Sequence, residues 1–317
     1  MKIRQIRELD TEQPNRAARD LDLRSGLEIA RIINREDRKV AAAVGRQLPK
    51  IARAIEIIAE RLRKGGRLIY VGTGSSGRIA ALDASECPPT FGVEPDKVQY
   101  LIAGGDRALG HAAEYGEDLR SNGVREIAAR KVSRKDVVIG VAASGRTPYT
   151  LAAVEYAKRK GATTIAVTCN HGSALENLAD LAIVVEVGPE VVSGSSRMKA
   201  GTAQKMVLNM LSTGAMARLG YVFGNRMVNV HTKNEKLRER GLGILQDLAG
   251  VSRGQAEILL RQSRNSVAVA LVALTARASA TVAAKALQKA GGNVRRAISL
   301  AKKLSQSQTT FLDSRPT

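Results

Sequence analysis

Apolar residues first recur at helical spacing. Ile29, Ile32 and Ile33, then Leu48, Ile51, Ile55 and Ile58, predict helices across residues 24–64, stopped by Gly65 and Gly66. The pattern then changes to short unbroken apolar runs at 67–71, 98–103, 137–142, 163–168 and 181–185. Helical stretches lie between them: one opened by the glycine-rich turn 72–77, one through Ala108 to Leu119, and one from Pro148 to Lys160. Continuous rather than alternating runs, separated by helices, predict parallel strands buried on both faces. The fold class is α/β: a doubly wound parallel sheet, a flavodoxin-like sandwich, with N-terminal helices and a small C-terminal helical domain. A long helical stretch follows from Arg197 to Leu219. From Gln246 onward the chain holds eleven Lys and Arg against three Asp and Glu, and reads as Ala-rich helices broken at Gly254 and Gly291–Gly292. The expected division is 1–245 for the sheet domain and 246–317 for the helical domain, whose polar tail from Ser305 is expected to fray.

Composition changes this picture little. Aromatic residues are 3% of the 317, with no Trp, so aliphatic side chains must fill the core. The two cysteines, Cys87 and Cys169, form no spaced framework, which points to a reduced, cytoplasmic setting. The charged N-terminus lacks the apolar run of a signal peptide, and no run reaches membrane-spanning length. The net charge of +20 raises nucleic acid as a partner. Its basic residues are dispersed along helices (Arg31, Arg35, Arg38, Arg46, Lys50, Arg53), with no zinc-finger spacing or aromatic RNA-binding signature. An anionic small molecule fits better than a nucleic acid.

Candidate chemistry lies in the loops. Gly72-Thr73-Gly74-Ser75-Ser76-Gly77 matches G-x-G-x-x-G, but no acidic residue follows at the end of the second strand to hold a ribose, and there is no triphosphate loop. The loop offers small residues, hydroxyls and N–H groups at a helix start, which suit an anion, although a plain tight turn would read the same way. A second loop argues against that bland reading. Ala143-Ser144-Gly145-Arg146-Thr147-Pro148 also joins a strand to a helix, with Pro148 suited to a first turn. A third polar segment, Ser193 to Lys199, precedes the long helix. Three hydroxyl-rich helix starts on one sheet describe a phosphosugar pocket at the strands' carboxyl ends, with Thr73, Ser75, Ser76, Ser144, Thr147, Ser195 and Ser196 as its candidate contacts.

The second loop resembles the phosphate loop of the sugar-isomerase (SIS) domain family. The strings LDASECPPTFGV (Leu82–Val93), LIAGGDRAL (Leu101–Leu109), AASGRTPY (Ala142–Tyr149), GSSRMKAGTAQKMVLNMLSTG (Gly194–Gly214) and NEKL (Asn234–Leu237) resemble more particularly the N-acetylmuramic acid 6-phosphate etherases. This resemblance covers about residue 20 to residue 300. It departs from the commonest pattern in reading GTGSSGR for GAGTSGR and EYGE for EGAE, keeping the hydroxyls and both carboxylates. The related glucokinase regulatory proteins share the domain but are much longer. The resemblance implies release of D-lactate from C3 of a phosphorylated amino sugar, no cofactor, and a homodimer, since sugar-isomerase domains commonly complete their pockets across an interface.

That chemistry needs a base for the proton at C2 and an acid for the ether oxygen. It needs no metal, and His111, His171 and His231 are scattered without ligand spacing. Carried over position by position, the resemblance puts the acid at Glu86 and the base at Glu117, with Glu114 a substitute. A lone Glu on a helix is ordinarily a solvated charge. Pro88 and Pro89 are expected to hold Glu86 on a rigid extended loop beside apolar residues, where a carboxyl favours its protonated form. Glu117 is expected on the helix after the second strand, sharing a face with Glu114. Cys87 has nothing nearby to activate it and reads as structural. A non-catalytic sugar-phosphate sensor and a phosphosugar isomerase are the competing functions.

Overall fold

The computed structural model describes residues 8–111, 114–229 and 235–312. Helix α1 (Gly26–Gly45) starts in a capping box: Ser25 Oγ accepts the Glu28 N–H, and the Glu28 carboxylate accepts that of Ser25. Helix α2 (Leu48–Arg63) carries Pro49 in its first turn. At Gly66 a Cβ would lie 1.9 Å from the Lys135 carbonyl oxygen, so only glycine lets α2 turn into the sheet here.

Five strands follow, threaded through helices: β1 (Leu68–Gly72), α3 (Gly74–Phe91), β2 (Val98–Ile102), α4 (Arg107–Gly110), α5 (Arg120–Ala129), β3 (Val137–Val141), α6 (Pro148–Arg159), β4 (Thr163–Thr168), α7 (Ala174–Leu178) and β5 (Leu181–Val184). All strand pairs are parallel, in the order β2-β1-β3-β4-β5. That is the flavodoxin-like order, whose switch point lies between β1 and β3. One sheet face buries Ile69, Val71, Val138 and Ala166 against Ile127, Tyr149, Ala153 and Leu175. Leu68, Tyr70, Ile139 and Ile165 alternate with them and are equally buried, so both faces are covered as the apolar runs required.

Helix α8 (Lys199–Leu219) follows the sheet, then a hairpin of β6 (Val222–Phe223) and β7 (Arg226–Met227). Among the described residues five helices follow: α9 (Glu235–Ala249), α10 (Arg253–Gln262), α11 (Val267–Ala276), α12 (Ala280–Lys289) and α13 (Val294–Leu312). Their core is small and aliphatic, built from Leu242, Leu245, Leu260, Leu271, Ala283 and Ala297 among others. Among the described residues no single helix is long and apolar enough to cross a membrane.

Several elements differ from the sequence expectation. The stretch from Ala108 to Leu119 is not one helix. It holds the four-residue α4 and a 3-10 turn at Glu114–Gly116, because Gly110 and Gly116 interrupt it. Helix α5, which the apolar spacing does not announce, follows. The chain breaks before Ser252, the N-cap of α10, so Gly254 lies inside that helix. The stretch from Ser305 continues α13 to Leu312 rather than fraying at 305. The chain divides into two compact units: one holds Glu94–Ala215 with the chain up to Glu86, the other Cys87–Val93 with the chain from Met216. The expected division at 245 instead falls within α9, whose Leu242, Ile244 and Leu245 belong to the helical core.

Candidate active site

The first loop leaves β1 at Gly72 and enters α3 at Gly74, whose φ of +49° favours glycine. At Gly77 a Cβ would come 2.6 Å from Ile102 Cγ1, so this glycine lets α3 press onto β2. Thr73 is buried, while Ser75 and Ser76 are half-buried in the first turn of α3. The second loop leaves β3, the strand next to β1, so the two loops flank the switch point. Ser144 is half-buried and its Oγ accepts the Arg146 N–H at 3.3 Å. Thr147 stands at the N-cap of α6.

Glu117 joins these loops. Its Oε1 is 3.1 Å from where a Cβ on Gly74 would be, and its carbonyl accepts the Tyr149 N–H at 3.0 Å. It sits on a turn after the 3-10 turn rather than on the expected helix. The turn places its carboxylate against the first loop.

Glu86 is placed differently. Pro88 and Pro89 do not extend the chain; they lie in the last turns of α3, which runs on to Phe91. Glu86 is exposed on that helix rather than packed beside apolar side chains. It lies twelve residues beyond Gly74, about 18 Å along the helix axis. Within one chain the two carboxylates therefore do not meet.

The third segment reaches the others through α8. Ser76 Oγ donates to Gln204 Oε1 at 2.9 Å, and Gly201 packs against Ile79. Ser195 and Ser196 are half-buried just before α8. The helix start itself is already filled: Glu190, fully buried, accepts the Lys199 and Ala200 N–H groups at 3.0 and 2.9 Å. Its position suits an internal anion, so this segment offers hydroxyls rather than a free helix terminus. Burial pushes the Glu190 carboxyl up, against those two hydrogen bonds.

Buried residues that sequence reasoning passed over hold this arrangement. Asp83 accepts Tyr70 OH at 2.8 Å and Ser212 Oγ at 3.0 Å, tying α3 to β1 and α8. Burial pushes its carboxyl above the usual range, against both bonds. Lys199 Nζ meets the Glu36 carboxylate at 2.9 Å, with both side chains buried. Asn170 Nδ2 bridges Thr11 Oγ1 and the Ala143 carbonyl, linking the N-terminal turn to the second loop. Asp83, Lys199 and Gln204 fall inside the motif strings, which was the available signal. Glu36, Asn170 and Thr11 carry none. Burial pushes the Cys169 thiol up to about 12, and Cys87 is buried. His171 pairs with Glu176 at 3.2 Å, while Asn234 and His231 lie outside the described residues.

The chain is similar to several known proteins. Residues 50–158 match the glucokinase regulatory protein N-terminal SIS domain, and residues 125–214 match the SIS domain. A solved phosphoheptose isomerase from Francisella tularensis shares 22% identity over 61% of this chain and 98% of its own, with a TM-score of 0.48. The N-acetylmuramic acid 6-phosphate etherase of Escherichia coli O1:K1 is 49% identical over 93% of this chain and 99% of its own length. That of Pasteurella multocida Pm70 is 50% identical over 94% and 99%. Identity at that level, spanning the sheet, the loops and the C-terminal helices alike, places this chain in the N-acetylmuramic acid 6-phosphate etherase family.

Proposed function

We propose that the loops after β1 and β3 hold N-acetylmuramic acid 6-phosphate while its D-lactyl ether is cut, and that Glu117 and Glu86 carry the proton transfers. The single observation that carries the reading is the Glu117 carboxylate lying against the first loop, beside the second. Ser144 and Thr147 hold the phosphate. Thr73, Ser75, Ser76, Ser195 and Ser196 line the remainder for sugar hydroxyls. In the open-chain sugar the C1 aldehyde acidifies the C2 proton, which Glu117 removes. The C2–H electrons form the C2–C3 double bond as the C3–O bond breaks, and Glu86 protonates the departing lactate oxygen. Water then adds hydroxyl to C3 and a proton to C2, giving N-acetylglucosamine 6-phosphate.

The separation along α3 shapes the rest of the proposal. An acid and a base acting on neighbouring atoms of one sugar cannot stand some 18 Å apart along a helix. An exposed Glu86 can reach a second chain. The enzyme is a homodimer in which Glu86 of the partner subunit completes each pocket, working in the cytoplasm where amino sugars are recycled. A purified sample given N-acetylmuramic acid 6-phosphate should release D-lactate, and Glu117→Gln should not. Sugar binding without lactate would make the protein a sensor, and ketose–aldose interconversion without lactate an isomerase; either result overturns the proposal.

A further inference from the structure

The substrate proposed above carries two anions, a phosphate on C6 and a carboxylate on the lactyl group that leaves. Serine and threonine hydroxyls with backbone N–H groups suit the phosphate. A carboxylate on the leaving group calls for a cation, and the three loops with the first five residues of the helices they open hold four. Arg78 is committed: its Nε donates to the Ala108 carbonyl at 3.0 Å and its Nη2 to that of His111 at 2.9 Å. Lys199 is buried against Glu36. Arg197 is exposed.

Arg146 remains. It is half-buried in the second loop, and its Nη1 is buried with no hydrogen-bond partner. Among the described residues no carboxylate pairs with it. A guanidinium N–H withdrawn from water without a partner is costly, so Arg146 gains where a ligand anion satisfies it. The loop is already next to the base, since Tyr149, three residues on, donates its N–H to the Glu117 carbonyl.

We infer that Arg146 binds the lactyl carboxylate, and so makes the pocket select a lactyl ether over a plain sugar phosphate. The planar fork of a guanidinium matches a carboxylate with two parallel hydrogen bonds, which a lysine cannot reproduce. The grip also fixes the ether oxygen relative to the acid, so the selectivity acts on catalysis as well as on binding.

The inference rests on the etherase reading, and the experiment separates the two. Wild type, Arg146→Met and Arg146→Lys are compared on three ligands. These are N-acetylmuramic acid 6-phosphate, an analogue whose 3-O-lactyl group is replaced by 3-O-ethyl, and the product N-acetylglucosamine 6-phosphate. Lactate release by wild type tests the etherase reading alone. Given that release, Arg146→Met should lower kcat/KM for the natural substrate by about ten- to a hundredfold, the worth of a charge-assisted pair. It should bind the 3-O-ethyl analogue and the product within about twofold of wild type, because neither carries the carboxylate and both keep the phosphate. Product binding also shows that the variant is folded. Arg146→Lys should recover only part of the loss. Equal weakening toward all three ligands would assign Arg146 to the phosphate and overturn the inference. Unchanged kinetics on the natural substrate would overturn it as well.

Discussion

Gly145 illustrates how tightly single residues are held at the second loop. Its φ is +65°, and a Cβ there would lie 2.3 Å from Ser173 Oγ, a side chain that is itself buried. Gly145→Ala must therefore distort the loop or displace Ser173, and should cost both stability and substrate affinity. Ser144→Ala removes one hydroxyl without moving the chain. It should raise KM for the phosphorylated substrate about tenfold, one hydrogen bond to an anion. Steady-state kinetics on both variants check this, and an unchanged KM in Ser144→Ala would remove the phosphate from this loop. The loops were legible because small, hydroxylic and glycine residues between an apolar run and a helix leave few alternatives. The surroundings of Glu86 were not. Two consecutive prolines read as an extended chain, yet they are tolerated near the end of α3, where few carbonyls remain to be paired.

At the scale of elements, the start of α8 is held by an ionic cluster that no spacing announces. Glu36, 2% exposed on α1, receives hydrogen bonds from Lys39, Lys199 and Asn15. Burial alone would raise its carboxyl, but these partners outweigh it and hold it at about 2. Its folded value thus lies below the ordinary 4.5, so its contribution to stability is complete above about 4.5 and is lost as pH falls from there toward about 2. Glu36→Gln strands buried Lys199 without a counter-charge, and should cost about 3 kcal/mol near neutral pH. The gap from wild type should narrow in urea unfolding series taken down to about pH 2.5. A gap independent of pH would mean that the carboxylate is not what stabilises the cluster. Helix α5 was missed for a related reason. Its Gly123 lies where a Cβ would be 2.3 Å from the Tyr149 carbonyl oxygen, so close packing replaces an apolar side chain in the pattern. The five strands of the parallel sheet were legible, because burial on both faces makes each an unbroken apolar run.

For the whole molecule, the sequence carried the fold class and the family, while the separation of the two carboxylates emerged only from the length of α3. A motif places residues in order along the chain and is silent on which copy of the chain they serve. The proposal that each pocket joins Glu117 of one subunit with Glu86 of its partner has a direct consequence for mixed dimers. Glu86→Gln and Glu117→Gln should each be nearly inactive alone, since an acid or a base contributes about a hundred- to ten-thousandfold. The two inactive proteins are unfolded together in equal amounts, refolded and assayed for D-lactate. A hybrid dimer then holds one pocket with both carboxylates intact, and random pairing should restore about a quarter of wild-type activity. Activity that stays at the level of the separate variants, with dimers of mixed composition demonstrated, would contradict a pocket built from two chains.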